Sequence, residues 1–390
     1  MNTDRFITDR LRSIDASGIR RVFDLAAKLE DPINLSIGQP DFDVPQPIKD
    51  AACNAVVQGM NRYTQTQGVA ELREAVTRQL AAEFPDTLGR GGVDRPDPET
   101  GLVITSGVSG ALLLTLMTCV GPGDEVLIPD PYFVMYKHLV TLSGATAVYV
   151  DTYPDFQTTA ERLEAKITDR TKLVLFNTPS NPTGVVAPPE VCREVIDLCE
   201  RRDLLLVSDE IYDEFCYEKV DAEGTPRCPS PLRHSPNALL LRGYSKTYGM
   251  TGWRLGYAAG PRGIIEQMTK LQQYSFVCAP SMVQVAGALA FQVDVTGHVT
   301  DYQRKRDRVI ERLSPHYELA LPGGAFYAFP KVPEALGLTG SQFVEKAVEK
   351  NLLIIPGGVF SERDTHFRLS YACDDDTLER GLDVLVELAG

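Results

Sequence analysis

Residues 238–260 read ALLLRGYSKTYGMTGWRLGYAAG, and they place a lysine and an arginine directly after an apolar run. The run at 239–241 predicts a buried strand, which glycine and polar residues then interrupt. Lys246 and Arg254 follow this interruption. Most lysines in proteins are solvated surface charges. A special role for Lys246 therefore needs support from the rest of the chain.

Four other apolar runs end in the same way, in a turn that leads into a helical pattern. They cover residues 102–105, 125–129, 172–176 and 204–208. Continuous apolar strands that alternate with helices predict an α/β fold, with a mostly parallel sheet covered on both faces. Ligands of such sheets bind at the carboxyl ends of the strands. We therefore expect one site to be lined by residues 106–110, 130–136, 177–184, 209–212 and 243–254.

The bulk composition excludes several classes of function. The chain has 390 residues, of which 43% are hydrophobic, and a net charge of −14. This length predicts two or three domains. The charge argues against nucleic acid or an anionic membrane as a partner, because both need a basic surface. The first residues, MNTDRFITDRLRS, lack the apolar core of a signal peptide, and no run of 18 apolar residues occurs. We expect a cytoplasmic protein.

The cysteines and histidines do not indicate a metal site. There are eight cysteines and five histidines, without a C-x-x-C motif and without a histidine pair at ligand spacing. A chain of this length does not need a disulfide framework. We therefore expect no bound metal, and we interpret the cysteines as buried thiols.

The segment TSGVSGAL, residues 105–112, begins at the end of the apolar run 102–105 and resembles an anion-binding site. Small residues there separate a strand from a helix, so the backbone N–H groups of Val108 and Ser109 would point outward at the helix start. The Ser109 hydroxyl adds a donor, and Ser245 and Arg254 could contact the same anion. A helix start of this kind is by itself only a weak indication.

Four other residues near the strand ends each allow two interpretations. Asp209 either caps a helix or forms a salt bridge, or it pairs with a protonated ring nitrogen. Asn181 and Tyr212 could bind a phenolate oxygen, although Asn before Pro is also an ordinary turn residue. Phe133 could stack on a ring or belong to the core. With Lys246 for an aldehyde and the anion site for a phosphate, these residues match every functional group of pyridoxal phosphate.

The chain resembles the class I/II aminotransferases of the pyridoxal-phosphate fold-type I family, and most of all their bacterial and archaeal aspartate/aromatic group. The matching blocks, in order, include NRYTQTQGVAELREAV, NTPSNPTG, VSDEIYDEF, GYSKTYGMTGWRLGY, GGAFYAFP and FRLSYA. The resemblance implies a mostly parallel seven-stranded sheet sandwiched by helices in a large cofactor-binding domain, residues 46–290. A smaller α/β domain would combine residues 1–45, including an N-terminal arm, with residues 291–390.

The resemblance also implies roles for individual residues. Lys246 would hold the cofactor as a Schiff base and act in catalysis together with Asp209 and Tyr212. Tyr63 would reach the phosphate of a neighbouring subunit, which implies a homodimer with shared active sites. Cofactor binding would involve Val108, Ser109, Phe133, Asn181, Asp209, Tyr212, Ser245, Lys246, Arg254 and Tyr63. Substrate binding would involve Gly38, Asn181 and Arg368, with Arg368 on the α-carboxylate.

These roles predict an aminotransferase that works by a ping-pong mechanism on an L-amino acid and a 2-oxo acid such as 2-oxoglutarate. A β-lyase or an aminocyclopropane-carboxylate synthase could use the same cofactor residues. A non-enzymatic protein that senses pyridoxal phosphate is a further alternative. Such a regulator usually carries a DNA-binding domain, whereas the apolar pattern here begins by about residue 33, and the net charge is negative.

The sequence says least about the amino donor. One aspartate-specific subgroup of the family carries a lysine at the position of Ser109, so its absence argues against dicarboxylate selection by that route. Ile37 and Tyr136 are the pocket residues that the sequence allows us to name. One is apolar and the other aromatic, which predicts neutral or aromatic amino donors. A mobile cation could admit 2-oxoglutarate to the same pocket. Arg20, Arg21 or Arg62 could provide such a cation.

Overall fold

The computed structural model describes residues 1–14, 29–88, 100–217 and 228–390. The strands are β1 (Ile33–Asn34), β2 (Thr100–Thr105), β3 (Glu125–Asp130), β4 (Thr146–Asp151), β5 (Thr171–Asn177), β6 (Leu205–Asp209), β7 (Leu239–Gly243), β8 (Gly256–Pro261), β9 (Tyr327–Ala328), β10 (Leu352–Leu353), β11 (Ile355–Pro356) and β12 (Phe367–Ser370). The helices are α1 (Asp9–Arg12), α2 (Gln46–Val57), α3 (Ala70–Glu83), α4 (Gly107–Cys119), α5 (Met135–Ser143), α6 (Ala160–Glu164), α7 (Pro189–Arg201), α8 (Tyr244–Thr247), α9 (Arg262–Gln273), α10 (Ser281–Ala290), α11 (Thr296–Leu313), α12 (Gly340–Glu349) and α13 (Asp375–Ala389).

The largest sheet has seven strands in the order β2-β8-β7-β6-β5-β3-β4. Neighbouring strands from β7 across to β4 are parallel, and β8 runs antiparallel to both β7 and β2. The α/β fold with a mostly parallel seven-stranded sheet is therefore confirmed. The apolar run at 256–260 forms β8, and the run at 146–150 forms β4, so the sheet extends beyond the five strands that the sequence analysis singled out.

Both faces of this sheet are buried because alternate residues of each strand enter different cores. Leu127, Val174 and Leu206 pack on one side with helices α2, α3, α7 and α10. Their neighbours Val126 and Leu173 pack on the other side with α4, α5 and α9. This double burial explains why the strands read as continuous apolar runs and not as alternating patterns.

A second region of the fold contains residues from both the N-terminal and the C-terminal part of the chain. β1 pairs in parallel with β10, and β11, β12 and β9 form a three-stranded antiparallel sheet. Helices α11, α12 and α13 contribute to its core, in which Leu35 packs with residues of the C-terminal quarter. Tyr212 and Phe215, which follow β6, reach into the same core. The predicted limits of the two domains remain a prediction.

Within the described ranges, no helix is long and apolar enough to cross a bilayer. Those residues also contain no group of three or more histidine, cysteine or acidic side chains suited to a metal ion. All eight cysteines are thiols. Cys192, Cys199, Cys216 and Cys228 are buried, whereas Cys53 is exposed.

Candidate active site

A cavity of about 280 Å³ opens at the carboxyl ends of the parallel strands. Most of its lining comes from the segments that the sequence placed there, because parallel strands bring their carboxyl ends to one edge of the sheet. The lining residues are Gly38, Val108, Ser109, Leu112, Phe133, Tyr136, Asn177, Asn181, Asp209, Ile211, Tyr212, Ser245, Lys246, Thr251, Arg254, Tyr327 and Arg368. Of the predicted site residues, Tyr63 does not line this cavity, and neither does Ile37, which the sequence analysis named for the side-chain pocket.

One end of the cavity is formed by the start of helix α4 and by Arg254. Gly107 has a φ of +69°, and a Cβ placed there would lie 2.9 Å from Nη2 of Arg254. The first amides of any helix have no intrahelical acceptor, and Ser106 does not cap those of α4 with its side chain. Arg254 has a φ of 56° and donates from Nη1 to the Thr251 carbonyl oxygen at 3.0 Å. These donors and this charge suit an anion, and we call this end of the cavity the anion cradle.

Lys246 lies in the centre of the cavity wall, in the single turn of helix α8 that follows β7. Its Nζ donates to the Gly38 carbonyl oxygen at 2.6 Å. Burial, together with the positive charges of Arg368 and Arg254, lowers the pKa of Lys246 to about 8. Its amine is therefore far more readily neutral than that of a solvated lysine.

Asp209 is the last residue of β6, and its carboxylate is buried in the cavity wall. The Tyr136 hydroxyl donates to its Oδ2 at 2.7 Å, and the Ile211 amide donates to its Oδ1 at 3.3 Å. Burial raises the pKa of Asp209 to about 6, and the Tyr136 bond opposes this rise. Tyr136, named from the sequence as a pocket residue, is thus also the hydrogen-bond partner of Asp209.

Arg368, on β12, is almost fully buried and also lines the cavity. Its Nη1 donates to Asn181 Oδ1 at 3.0 Å, and its Nη2 donates to the Ser36 carbonyl oxygen at 2.9 Å. The guanidinium carbon lies 4.5 Å from the ring centre of Tyr327 and 4.6 Å from that of Phe360. Two aromatic rings therefore hold this cation in one orientation.

Tyr327 is a cavity residue that the sequence analysis did not identify. Its hydroxyl lies 3.0 Å from that of Tyr212, and a Cβ at Gly38 would come within 2.9 Å of it. Its position in GGAFYAFP, inside a quoted block, was the available signal. Leu112, Asn177, Ile211 and Thr251 were also not named individually, although Asn177, Ile211 and Thr251 lie in predicted segments.

Tyr63 lies on the surface, with 85% of its side chain exposed. It belongs to a set of exposed apolar side chains around α2 and the end of α9, which are Val56, Val57, Met60, Tyr63, Tyr274, Phe276 and Val277. Arg62 is exposed as well. Arg20 and Arg21, the other candidate cations, lie outside the described residues.

These groups fit pyridoxal phosphate. The absence of a side chain at Gly107 leaves space beside Arg254, which suits a phosphate at the start of α4. The same cavity contains a lysine with a lowered pKa for an aldehyde and a buried carboxylate for a basic ring nitrogen. Asn181 accepts from Arg368 through its oxygen, so its amide nitrogen remains a donor that suits a ring oxygen.

Comparison with known proteins gives matches along nearly the whole chain. The model of the family described as "Aminotransferase class I and II" matches residues 30–385. A probable aspartate aminotransferase of Methanocaldococcus jannaschii is 36% identical, over 98% of this chain and 99% of that protein. An aromatic-amino-acid aminotransferase of Thermococcus litoralis is 35% identical, over 97% and 96%. The structure of Thermus thermophilus aspartate aminotransferase with maleate has a TM-score of 0.89 at 32% identity, over 98% and 99%.

Proposed function

The chain belongs to the class I and II aminotransferases, which use pyridoxal phosphate, and we propose that it transfers amino groups from L-amino acids to 2-oxoglutarate. The two half-reactions follow one another in a ping-pong cycle, in which the first product leaves before the second substrate binds. The observation that supports this proposal best is Lys246. It lies in one cavity with the anion cradle and Arg368, and its pKa is lowered to about 8.

When it is bound, pyridoxal phosphate supplies the carbonyl group that receives the amino group and a ring that withdraws electrons from the substrate α-carbon. Arg254, Ser245 and the amides of Val108 and Ser109 bind its phosphate in this proposal. Phe133 packs on the ring, and Asn181 and Tyr212 donate to the ring oxygen. The Asp209 carboxylate holds the proton on the ring nitrogen, and the hydrogen bond from Tyr136 helps to keep that carboxylate ionised.

Lys246 has two tasks in this mechanism. As a neutral amine, Lys246 could form the covalent link to the cofactor carbonyl, and a substrate amine would displace it from that link. The freed Nζ would then be the base that takes the proton from the substrate α-carbon. The neighbouring charges of Arg368 and Arg254 favour the neutral amine that both tasks need.

Arg368 binds the substrate α-carboxylate, assisted by Asn181 and by the backbone at Gly38. Its guanidinium is held by the rings of Tyr327 and Phe360 and by two hydrogen bonds, so it is oriented before substrate arrives. A clamp of this kind determines which bond of the α-carbon stands perpendicular to the cofactor ring, and therefore which bond breaks.

A half-reaction tests this function. An amino acid added to the holoenzyme without an oxo acid should convert the cofactor once to its amino form, with a stoichiometric change in the absorption spectrum. Addition of 2-oxoglutarate should reverse that change. Continuous release of ammonia and pyruvate would instead identify a lyase, and an unchanged spectrum would contradict an enzymatic role.

For the donor, we propose neutral or aromatic amino acids over aspartate. The cations among the described lining residues are Lys246, Arg254 and Arg368, and each has a role that does not involve the substrate side chain. Leu112 and Ile211 add apolar surface to the wall. A panel of amino acids at equal concentration with 2-oxoglutarate tests this preference. A hundredfold advantage of aspartate in kcat/KM, about 2.7 kcal/mol, would show that a further cation lines the pocket.

We also propose that the protein is a homodimer with shared active sites. Tyr63 does not line the cavity of its own chain, and it lies within the exposed apolar set around α2 and the end of α9. A group of exposed large apolar side chains is typical of a protein interface. A second copy that covers it would bury these side chains and bring Tyr63 to the phosphate of the neighbouring site.

A further inference from the structure

Asn177, the last residue of β5, joins two residues of the candidate active site through the two ends of its side-chain amide. Its Nδ2 donates to the Asp209 carbonyl oxygen at 2.8 Å. Its Oδ1 accepts from the Asn181 backbone N–H at 2.9 Å. Only this orientation of the amide satisfies both partners, since a carbonyl oxygen accepts and an N–H donates. Asn177 also lines the cavity, yet the proposed transamination gives it no task.

We propose that Asn177 is a positioning residue, which holds Asn181 and Asp209 at a fixed separation and so keeps Arg368 aligned with the cofactor site. This inference rests on the proposed function, because it takes the roles of Asp209, Asn181 and Arg368 from there. Asn177 acts through the two residues that it joins and not on the substrate itself.

The bond to Asp209 strengthens the end of the sheet at which the cofactor site begins. β5 and β6 are neighbouring parallel strands, and Asn177 lies opposite Asp209 in their register. The Thr178 N–H donates to the Asp209 carbonyl oxygen at 3.3 Å, which is longer than the roughly 3.2 Å upper limit of most N–H···O bonds. The Asn177 amide gives the same oxygen a second and shorter bond. It therefore fixes the end of β6, from which the Asp209 carboxylate enters the cavity.

The bond to Asn181 holds a segment that has few backbone donors of its own. Pro179 and Pro182 lie on either side of Asn181, and a proline has no N–H. The N–H of Asn181 donates to the Asn177 side chain, so a residue of the sheet holds it. The position of Asn181 therefore depends on one side chain of β5.

These two bonds form the middle of a longer chain of contacts among the residues that line the cavity. At one end, Arg368 donates to the Asn181 side chain at 3.0 Å. At the other end, the Tyr136 hydroxyl donates to the Asp209 carboxylate at 2.7 Å. Asn177 thus links the cation for the substrate carboxylate to the carboxylate for the ring nitrogen. Without it, the two ends of this chain could shift independently.

Asn177→Ala removes both bonds and should weaken the binding of every substrate that carries an α-carboxylate. We expect the KM values for the amino donor and for 2-oxoglutarate to rise together. The ratio kcat/KM should fall by tenfold or more, about 1.4 kcal/mol. Loss of a residue that only stabilises the fold would lower the Tm and the fraction of protein that binds cofactor. It would leave the KM values of the folded enzyme unchanged.

Hydrogen exchange of the apoprotein tests the same contact without cofactor or turnover. The Asn181 amide should exchange slowly in the wild type and at least tenfold faster in N177A, because the variant lacks its acceptor. Asn177→Asp retains an oxygen for this amide, so exchange should stay slow in that variant. Mass spectrometry with fragmentation that resolves single amides in peptides covering residues 178–184 provides the measurement.

Asn237→Ala is the matched control. Asn237 precedes β7, at the amino ends of the parallel strands, and its Nδ2 donates to the Glu200 carboxylate at 2.7 Å. N237A makes the same chemical change away from the cavity. It should leave both KM values and the exchange of the Asn181 amide unchanged.

The measurements distinguish failure of this inference from failure of the proposed function. A wild type that does not complete the half-reaction would contradict the proposed function, whatever the exchange of the Asn181 amide. A wild type that transaminates, with N177A retaining both KM values, would contradict the role of Asn177 alone. The inference is also wrong if the Asn181 amide exchanges freely in the wild-type apoprotein. That result decides the matter even if N177A does not fold.

Discussion

At the scale of single residues, the proposed chemistry depends on how burial shifts the pKa values of three side chains. Burial lowers the pKa of Lys246 and raises that of Asp209, which favours the neutral form of each. Burial also lowers the pKa of Arg368, although two hydrogen bonds and two rings hold its guanidinium. The positive charges of Arg368 and Arg254 act in the same direction as burial on Lys246.

Lys246→Ala should abolish turnover and leave a folded protein that still binds pyridoxal phosphate non-covalently. The anion cradle at α4 does not involve this side chain, so the phosphate would keep its contacts. Borohydride reduction of the wild-type holoenzyme followed by peptide mapping measures which lysine holds the cofactor. Label on any other lysine would contradict the assignment.

The reactivity of Lys246 in the apoprotein should follow its lowered pKa. Only the neutral amine reacts with an acylating reagent, so labelling of Lys246 should rise through pH 8 and be weak below it. Lys331 is a suitable control, because its hydrogen bond to Glu334 raises its pKa and delays its labelling to more alkaline solution. Equal pH profiles for the two lysines, read by mass spectrometry, would show that Lys246 is not desolvated.

Asp209→Ala should bind the cofactor but lose most activity, because a ring nitrogen without its carboxylate partner loses its proton. We expect kcat to fall by much more than tenfold, which corresponds to about 1.4 kcal/mol. A kcat within tenfold of the wild type would refute the role of Asp209.

Tyr136→Phe is a milder change than Asp209→Ala, since it keeps the Asp209 carboxylate and removes only the 2.7 Å hydrogen bond from Tyr136 to it. That bond lowers the pKa of Asp209, so its loss should raise the pKa. As the solution is acidified, the variant should therefore begin to lose activity at a higher pH than the wild type. Near neutral pH its loss of activity should be smaller. An unchanged acid limb of the kcat profile would contradict this link.

At the scale of elements, the site is assembled from the ends of parallel strands and the start of one helix. β5 and β6 end in Asn177 and Asp209, so these two polar lining residues belong to the strands themselves and not to the loops after them. Helix α4 begins directly after β2 and directs its uncapped amides toward the cavity. Backbone groups at the start of α4 therefore contribute to the end of the cavity that suits an anion. The side chains at the strand ends remain available for the proposed chemistry.

Gly107→Ala should weaken cofactor binding at this helix start. The φ of +69° strains any other residue, and the new Cβ would lie 2.9 Å from Arg254 Nη2. We expect the Kd for pyridoxal phosphate, measured by equilibrium dialysis, to rise by tenfold or more, about 1.4 kcal/mol. Gly263→Ala is the control, because that glycine also lies in a first helical turn but has open space around it. Similar Kd values for both variants would contradict the cradle.

At the scale of the whole molecule, two cores meet around the cavity. Gly38, Arg368 and Tyr327 come from the region that joins the chain ends, whereas the strand ends belong to the seven-stranded sheet. The bond from Lys246 to the Gly38 carbonyl crosses between them. Substrate clamp and cofactor site therefore depend on both regions being in place.

The assembled protein should sediment as a dimer with twice the chain mass of 42.9 kDa. Tyr63→Phe, which removes only the hydroxyl, should stay dimeric and bind pyridoxal phosphate more weakly, because the phosphate loses one donor from the neighbouring chain. Sedimentation velocity and the cofactor Kd measure the two effects separately. A fully active monomer would refute the shared site.

The sequence alone determined the fold class and most of the cavity lining, because both depend on local patterns. Apolar runs that end in turns locate the carboxyl ends of the strands, and parallel strands bring those ends to one edge. Lys246, Asp209, Asn181 and Arg254 could therefore be placed in one site before any contact was known. Strands β4 and β8 were not predicted individually, because their apolar runs are not followed by candidate site residues.

Only the tertiary structure decided which side chains touch. Tyr136 donates to Asp209 across 73 residues of chain, and Arg368 donates to Asn181 across 187. The contacts of Arg368 with the rings of Tyr327 and Phe360 also join separate segments. Such pairs leave no periodic signal in the sequence, because they depend on how whole elements pack and not on the hydrophobic pattern of any one of them.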